Sequence, residues 1–118
     1  MQAPDVYKAG IAEVPGYDSR GLTLYEVYLG MPADNKEIYD KADALQLASQ
    51  LKGKLLMTGG LNDTGTQKDY YKMSEALIRA GIQHDTMTYP NSGHGYFGKS
   101  ADYNYELKKN WLIEQLQP

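Results

Sequence analysis

The sequence has no cysteine among its 118 residues, which excludes disulfide staples, thiolate catalysis and cysteine-ligated zinc. That absence leaves the compartment unassigned, because many exported proteins also lack cysteine. No run approaches the eighteen or so apolar residues of a membrane helix, so no transmembrane segment is expected. Excess positive charge is missing as well: twelve basic against fifteen acidic residues give a net charge of −3, the wrong sign for a nucleic-acid surface. Only two histidines occur, His84 and His94, without paired metal-ligand spacing, so a zinc site is not expected. Phenylalanine and tryptophan occur once each against eleven tyrosines, so the aromatic content sits in rings with a polar end, suited to core edges and half-buried surface. Met1 to Asp5 carries neither a basic nor an apolar segment and does not read as a signal peptide.

What is present suffices for one domain with its own core. Tyr7 to Val14 reads as a first strand closed by Pro15-Gly16, and its run Ala9-Gly10-Ile11-Ala12 suggests burial on both faces, as in a central parallel strand. Tyr17 to Pro32 is irregular or short-helical, and Asp34 to Tyr39 supplies a helical turn or two. Asp43 is placed to cap a helix over Ala44 to Leu51, with Leu45, Leu47 and Leu51 as its apolar stripe. Lys54 to Thr58 is a buried strand. A helix follows from Gln67 to Ala80, with Thr66 as N-cap, Tyr70, Met73 and Leu77 inward and Gly81 as C-terminal stop. His84 to Tyr89 reads as an exposed start followed by a third strand, and Ala101 to Leu116 as a closing helix with Tyr103, Leu107 and Trp111 on one face. This alternation predicts an α/β fold: about three parallel strands joined by right-handed crossovers and flanked by helices.

The two later strands end in chemically loaded loops, Thr58-Gly59-Gly60-Leu61-Asn62-Asp63 and Pro90-Asn91-Ser92-Gly93-His94-Gly95. Parallel strands deliver their following loops to the same sheet edge, so an acid and a histidine meet there. Two other motifs overlap this stretch. Gly60 to Gly65 with Thr66 approaches a phosphate-binding loop but lacks the lysine after Gly65. Asp63-Thr64-Gly65 spells the aspartic-protease signature, which belongs among strands, whereas a strongly helical segment follows here.

Met-Thr-Gly-Gly-Leu-Asn-Asp at 57–63, a helix ending Ala-Leu-Ile-Arg-Ala-Gly at 76–81, Tyr-Pro-Asn-Ser-Gly-His-Gly at 89–95 and a last helix holding Trp111 together resemble the C-terminal end of the prolyl oligopeptidase and dipeptidyl peptidase IV family of α/β-hydrolase serine peptidases. Upstream, Tyr7 to Pro15 resembles the strand after the nucleophile, and Glu26-Val27-Tyr28-Leu29-Gly30 resembles the family's Glu-x-Tyr-x-Gly segment. The resemblance implies a partial α/β-hydrolase fold, residues 1–118 being the C-terminal part of a peptidase domain. It also implies hydrolysis of short peptides, after proline or alanine, by a Ser-Asp-His triad in that chain order, with no metal or organic cofactor. His94 matches the histidine. For the acid, a gap-free alignment selects Asn62 and a one-residue shift, easily absorbed by a loop, selects Asp63. Asn at that position would give a degenerate triad. Arg20 and Tyr28 fall where the resemblance implies substrate-facing residues.

None of the five serines, Ser19, Ser49, Ser74, Ser92 and Ser100, lies within Gly-x-Ser-x-Gly. The nucleophile is therefore expected from an N-terminal part of the same polypeptide, with a peptide as substrate, and this chain alone should not form an acyl-enzyme. A fragment of this kind would leave the first strand uncovered and self-associate or swap elements to cover it. Two other readings are a non-catalytic, flavodoxin-like binding module and a piece of a pseudoenzyme.

Overall fold

The computed structural model describes residues 1 and 3–118. Three parallel strands, β1 (Ala9–Glu13), β2 (Lys54–Gly60) and β3 (Asp85–Tyr89), form one sheet in the order β1-β2-β3. Register pairs Ala9 with Lys54 and Leu56 with Asp85, which aligns the carboxyl ends of all three strands. Among the described residues four α-helices accompany them: α1 (Thr23–Leu29), α2 (Lys36–Ala42), α3 (Gln67–Arg79) and α4 (Lys99–Leu116).

β2 is the middle strand and is buried from Leu55 to Gly60, as its unbroken apolar run requires. Leu55 and Met57 face α3, where they form a core with Ala48, Tyr70, Met73 and Leu77. The inward residues of α3 are those its periodicity marks, and its end is a Schellman turn: Gly81 adopts φ +70°, its N–H bonds Ile78 C=O and Ile82 N–H bonds Leu77 C=O. α4 covers the opposite face. Trp111 donates to Asp85 at 2.7 Å, and Asn104 receives the Tyr89 hydroxyl at 3.1 Å.

Several expectations need correction. Ala44–Gln50 is a 3-10 helix rather than an α-helix. Asp43 Oδ1 takes the Leu45 N–H, and the N–H groups of Gln46 and Leu51 bond three residues back, which keeps the turn tight. Its buried residue is Ala48, the leucines being half-buried. The inward face of α4 runs through Asn104, Leu107 and Trp111, with Tyr103 more than half exposed. His84 is half-buried, its Nε2 2.7 Å from Ser74 Oγ. β1 pairs only with β2 among the described residues and is half-buried rather than enclosed. It ends where Val14 turns to φ +39° ahead of Pro15-Gly16.

Between β1 and β2 the chain folds as an insert, residues 17–50, around two anchors. The Asp69 carboxylate of α3 accepts the N–H groups of Tyr17 and Asp18. Arg20 binds Asp18 at 3.0 Å, Asp43 at 3.1 Å and Asp40, joining the start of the insert to α2 and the turn behind it. Tyr39, almost fully buried, donates its hydroxyl to Gly30 C=O at 2.8 Å. The helix α1 packs loosely by comparison: Leu24, Val27 and Tyr28 are largely exposed.

Candidate active site at the carboxyl end of the sheet

The loops after β2 and β3 touch because Gly60 has no side chain. A Cβ there would stand 2.2 Å from Gly93 O and 2.3 Å from Ser92 O, closer than atoms can approach. Backbone hydrogen bonds from Leu61 to Tyr89 and from Asn62 to Ser92, both 3.0 Å, then fasten one loop to the other. Glycines flank His94 on both sides, and Gly93 and Gly95 bridge to each other, so the loop turns tightly and projects the imidazole.

Asp63 is buried, and four donors converge on its carboxylate. Oδ1 accepts the N–H groups of Gly65 at 2.9 Å and Thr66 at 3.1 Å, an arrangement that opens α3. Oδ2 accepts the Thr66 hydroxyl at 2.6 Å and lies 2.9 Å from His94 Nδ1. Burial alone would raise this carboxyl. The hydrogen bonds from Thr66, His94 and Gly65 outweigh burial and hold it at about 2. An ionised carboxylate only accepts, so His94 Nδ1 carries the proton of this contact, and in the neutral imidazole that tautomer has its lone pair on Nε2. The His94 side chain is 64% exposed, and its Nε2 makes no hydrogen bond among the described residues.

The sequence-predicted site residues separate into two places. Asp63 and His94 are in direct contact. Asn62 sits beside them with its side chain exposed and contributes its backbone N–H to Ser92. Arg20 is committed to the three carboxylates of the insert, and those hydrogen bonds keep its guanidinium protonated. Tyr28, 77% exposed, presents its ring from α1. Among the described residues, no hydrogen bond joins Arg20 or Tyr28 to the Asp63–His94 pair, and no three His, Cys, Asp or Glu side chains converge as a metal site would need.

Thr66 is the contributor that sequence reasoning assigned differently. Its hydroxyl is spent on Asp63 instead of capping α3. The signal was its spacing of three residues after an aspartate, which suits a carboxylate that accepts both the backbone and side-chain donors of that residue. Nothing in periodicity marked Tyr96, whose hydroxyl bonds Thr58 on β2.

Comparison with known proteins gives this geometry a context. The prolyl oligopeptidase family matches residues 1–118. Dipeptidyl peptidase 4 of Sus scrofa is 32% identical over 119 residues, covering 93% of this chain, and venom dipeptidyl peptidase 4 of Vespa velutina is 28% identical over 90% of it. The chain spans about 15% of the length of these relatives. The crystal structure of dipeptidyl peptidase 4 from Porphyromonas gingivalis superposes with a TM-score of 0.91 at 32% identity, over 98% of this chain and 17% of that one. An acylaminoacyl peptidase from Pyrococcus horikoshii shares the fold, with a TM-score of 0.80 at 22% identity, over 95% of this chain and 20% of its own. Three parallel strands with flanking helices thus form part of an α/β-hydrolase fold, and the chain belongs to the prolyl oligopeptidase family.

Proposed function

We propose that residues 1–118 are the C-terminal part of a serine peptidase domain and supply the acid and the base of its triad, Asp63 and His94. The observation that carries this reading is the 2.9 Å contact between a buried Asp63, ionised at neutral pH, and Nδ1 of an imidazole whose Nε2 makes no hydrogen bond among the described residues. The serine comes from sequence outside this chain, since no serine here lies in a Gly-x-Ser-x-Gly elbow. Among the described residues β1 has a partner on one side only, which leaves its outer edge free to pair with the segment that bears the serine.

In this mechanism His94 Nε2 removes the serine proton as the hydroxyl attacks a peptide carbonyl. The imidazolium formed shares its Nδ1 proton with Asp63 and gives the Nε2 proton to the leaving amine. Water then repeats the sequence on the acyl-enzyme, with His94 again as base. Asp63 holds the tautomer and the ring orientation, and because four donors keep it ionised it takes no proton itself. The substrates are short peptides, consistent with the dipeptidyl peptidases it resembles. Tyr28 offers an exposed ring to wall the cleft, while Arg20 acts through the shape of the insert that its three carboxylates hold.

The test is hydrolysis of a chromogenic dipeptidyl amide by the full-length polypeptide carrying this chain. H94A is expected to lower kcat by at least about 10³-fold. Wild-type turnover in H94A would overturn the assignment.

A further inference from the structure

Two residues beyond His94 the chain is tied back to the sheet through Tyr96. Its hydroxyl donates to Thr58 Oγ1 at 2.9 Å, and its ring centroid lies 4.5 Å from that of Tyr89. The Tyr89 hydroxyl donates to Asn104 Oδ1 at 3.1 Å, and Asn104 Nδ2 donates to Glu13 Oε1 at 2.6 Å. Lys108 Nζ completes the chain at Glu13 Oε2, also 2.6 Å away. The network therefore runs from the histidine loop, past β3 and α4, to the last residue of β1.

Thr58, Tyr89 and Asn104 are all buried, so their polar atoms have exchanged water for one another. An aliphatic residue would fill the Asn104 position without needing those partners. Buried polar networks of this kind fix one arrangement of the elements they join, and their effect is lost if one member is left unpaired. His94 has need of such a constraint. Its ring is largely exposed and its loop has glycine on both sides, so apart from Asp63 little holds the imidazole. A base displaced by about 1 Å can lose roughly a hundredfold in rate.

We infer that Tyr96 is a positioning residue for His94, and that the Tyr89–Asn104–Glu13–Lys108 network makes the position of the base depend on the end of β1. This rests on His94 being the triad base. Tyr96 touches no reacting atom. It fixes the outgoing side of the loop while Asp63 fixes the ring.

The experiment is steady-state hydrolysis by the full-length polypeptide with Y96F, N104D, the double variant N104D/E13Q, and H94A. Y96F is expected to lower kcat about tenfold with KM unchanged. N104D sets a second carboxylate against Glu13 and is expected to cost at least as much. N104D/E13Q exchanges donor and acceptor across the same contact and should recover most of the loss. Titration with a fluorophosphonate counts the competent sites, and kcat per titrated site should remain about tenfold lower in Y96F. A residue that only stabilises the fold would lower the number of titrated sites and leave kcat per site unchanged. Wild-type kcat per titrated site in Y96F, with H94A inactive, overturns the inference while leaving the triad standing. Failure of the double variant to recover removes the network from it. An active H94A would instead remove the triad reading itself. Y96F deletes a single oxygen atom, so it decides the matter even if N104D does not fold.

Discussion

Exchanging Asp63 for asparagine changes one side of a carboxylate and spares the other. The amide oxygen can still accept the N–H groups of Gly65 and Thr66, now received by Oδ1. Its nitrogen takes the place of Oδ2, where the Thr66 hydroxyl and His94 Nδ1 both arrive as donors. Thr66 can rotate its hydroxyl and accept. His94 can answer only by giving up its Nδ1 proton, which puts the proton on Nε2, where a serine proton would have to go. The expected loss is about 10⁴-fold in kcat. Stability falls too: a carboxyl held at about 2 lies roughly two pH units below its ordinary value, corresponding to about 2 kcal/mol of native-state stabilisation at neutral pH. Peptide hydrolysis and urea unfolding of the full-length polypeptide measure the two effects. N62A is the control, because that side chain is exposed, and it should leave turnover within about twofold and stability within about 0.5 kcal/mol. If N62A lost the larger share of kcat, or D63N kept wild-type turnover, the assignment of the acid would be wrong.

Three further outcomes are expected. Because folding depresses the Asp63 carboxyl, its contribution is complete above about pH 4 and fades as the pH falls to about 2. The stability gap between wild type and D63N, followed by urea unfolding, should close by about 2 kcal/mol across that window, and a gap constant with pH refutes the argument. G60A forces a methyl group into Gly93 O and Ser92 O, so the loops must part; a loss of about 1–3 kcal/mol together with most of the peptidase activity is expected, and full activity would show the close approach to be dispensable. R20K replaces a guanidinium spanning three carboxylates with one ammonium, so limited proteolysis should cut residues 17–50 sooner than in wild type; equal rates would remove Arg20 as the clamp of the insert.

The elements that the sequence made legible are those whose burial is apolar and periodic. β2 reads as a continuous hydrophobic run because it is covered on both faces, and Tyr70, Met73 and Leu77 mark the inward side of α3 at helical spacing. The meeting of an acid and a histidine followed from strand direction alone. Its register did not, because a loop absorbs one residue without changing the pattern on either side. What distinguishes Asp63 from Asn62 is burial and four donors, a property of the folded loop. The inward face of α4 was misjudged for a similar reason. Asn104 looks like a surface residue until Tyr89 and Glu13 are seen to satisfy it, so the more apolar Tyr103 took its place. α1 left a weak signal because its apolar residues face outward, and no periodicity separates an exposed apolar helix from an irregular segment.

The central claim is that Asp63 and His94 activate a serine lying outside these 118 residues. The most direct measurement is reaction of the full-length polypeptide with a fluorophosphonate, followed by mass-spectrometric mapping of the modified residue, in wild type and in H94A. Modification is expected at one serine outside residues 1–118, with the rate reduced by at least about 10³-fold in H94A. Modification of Ser19, Ser49, Ser74, Ser92 or Ser100, or a rate that does not change in H94A, would contradict it.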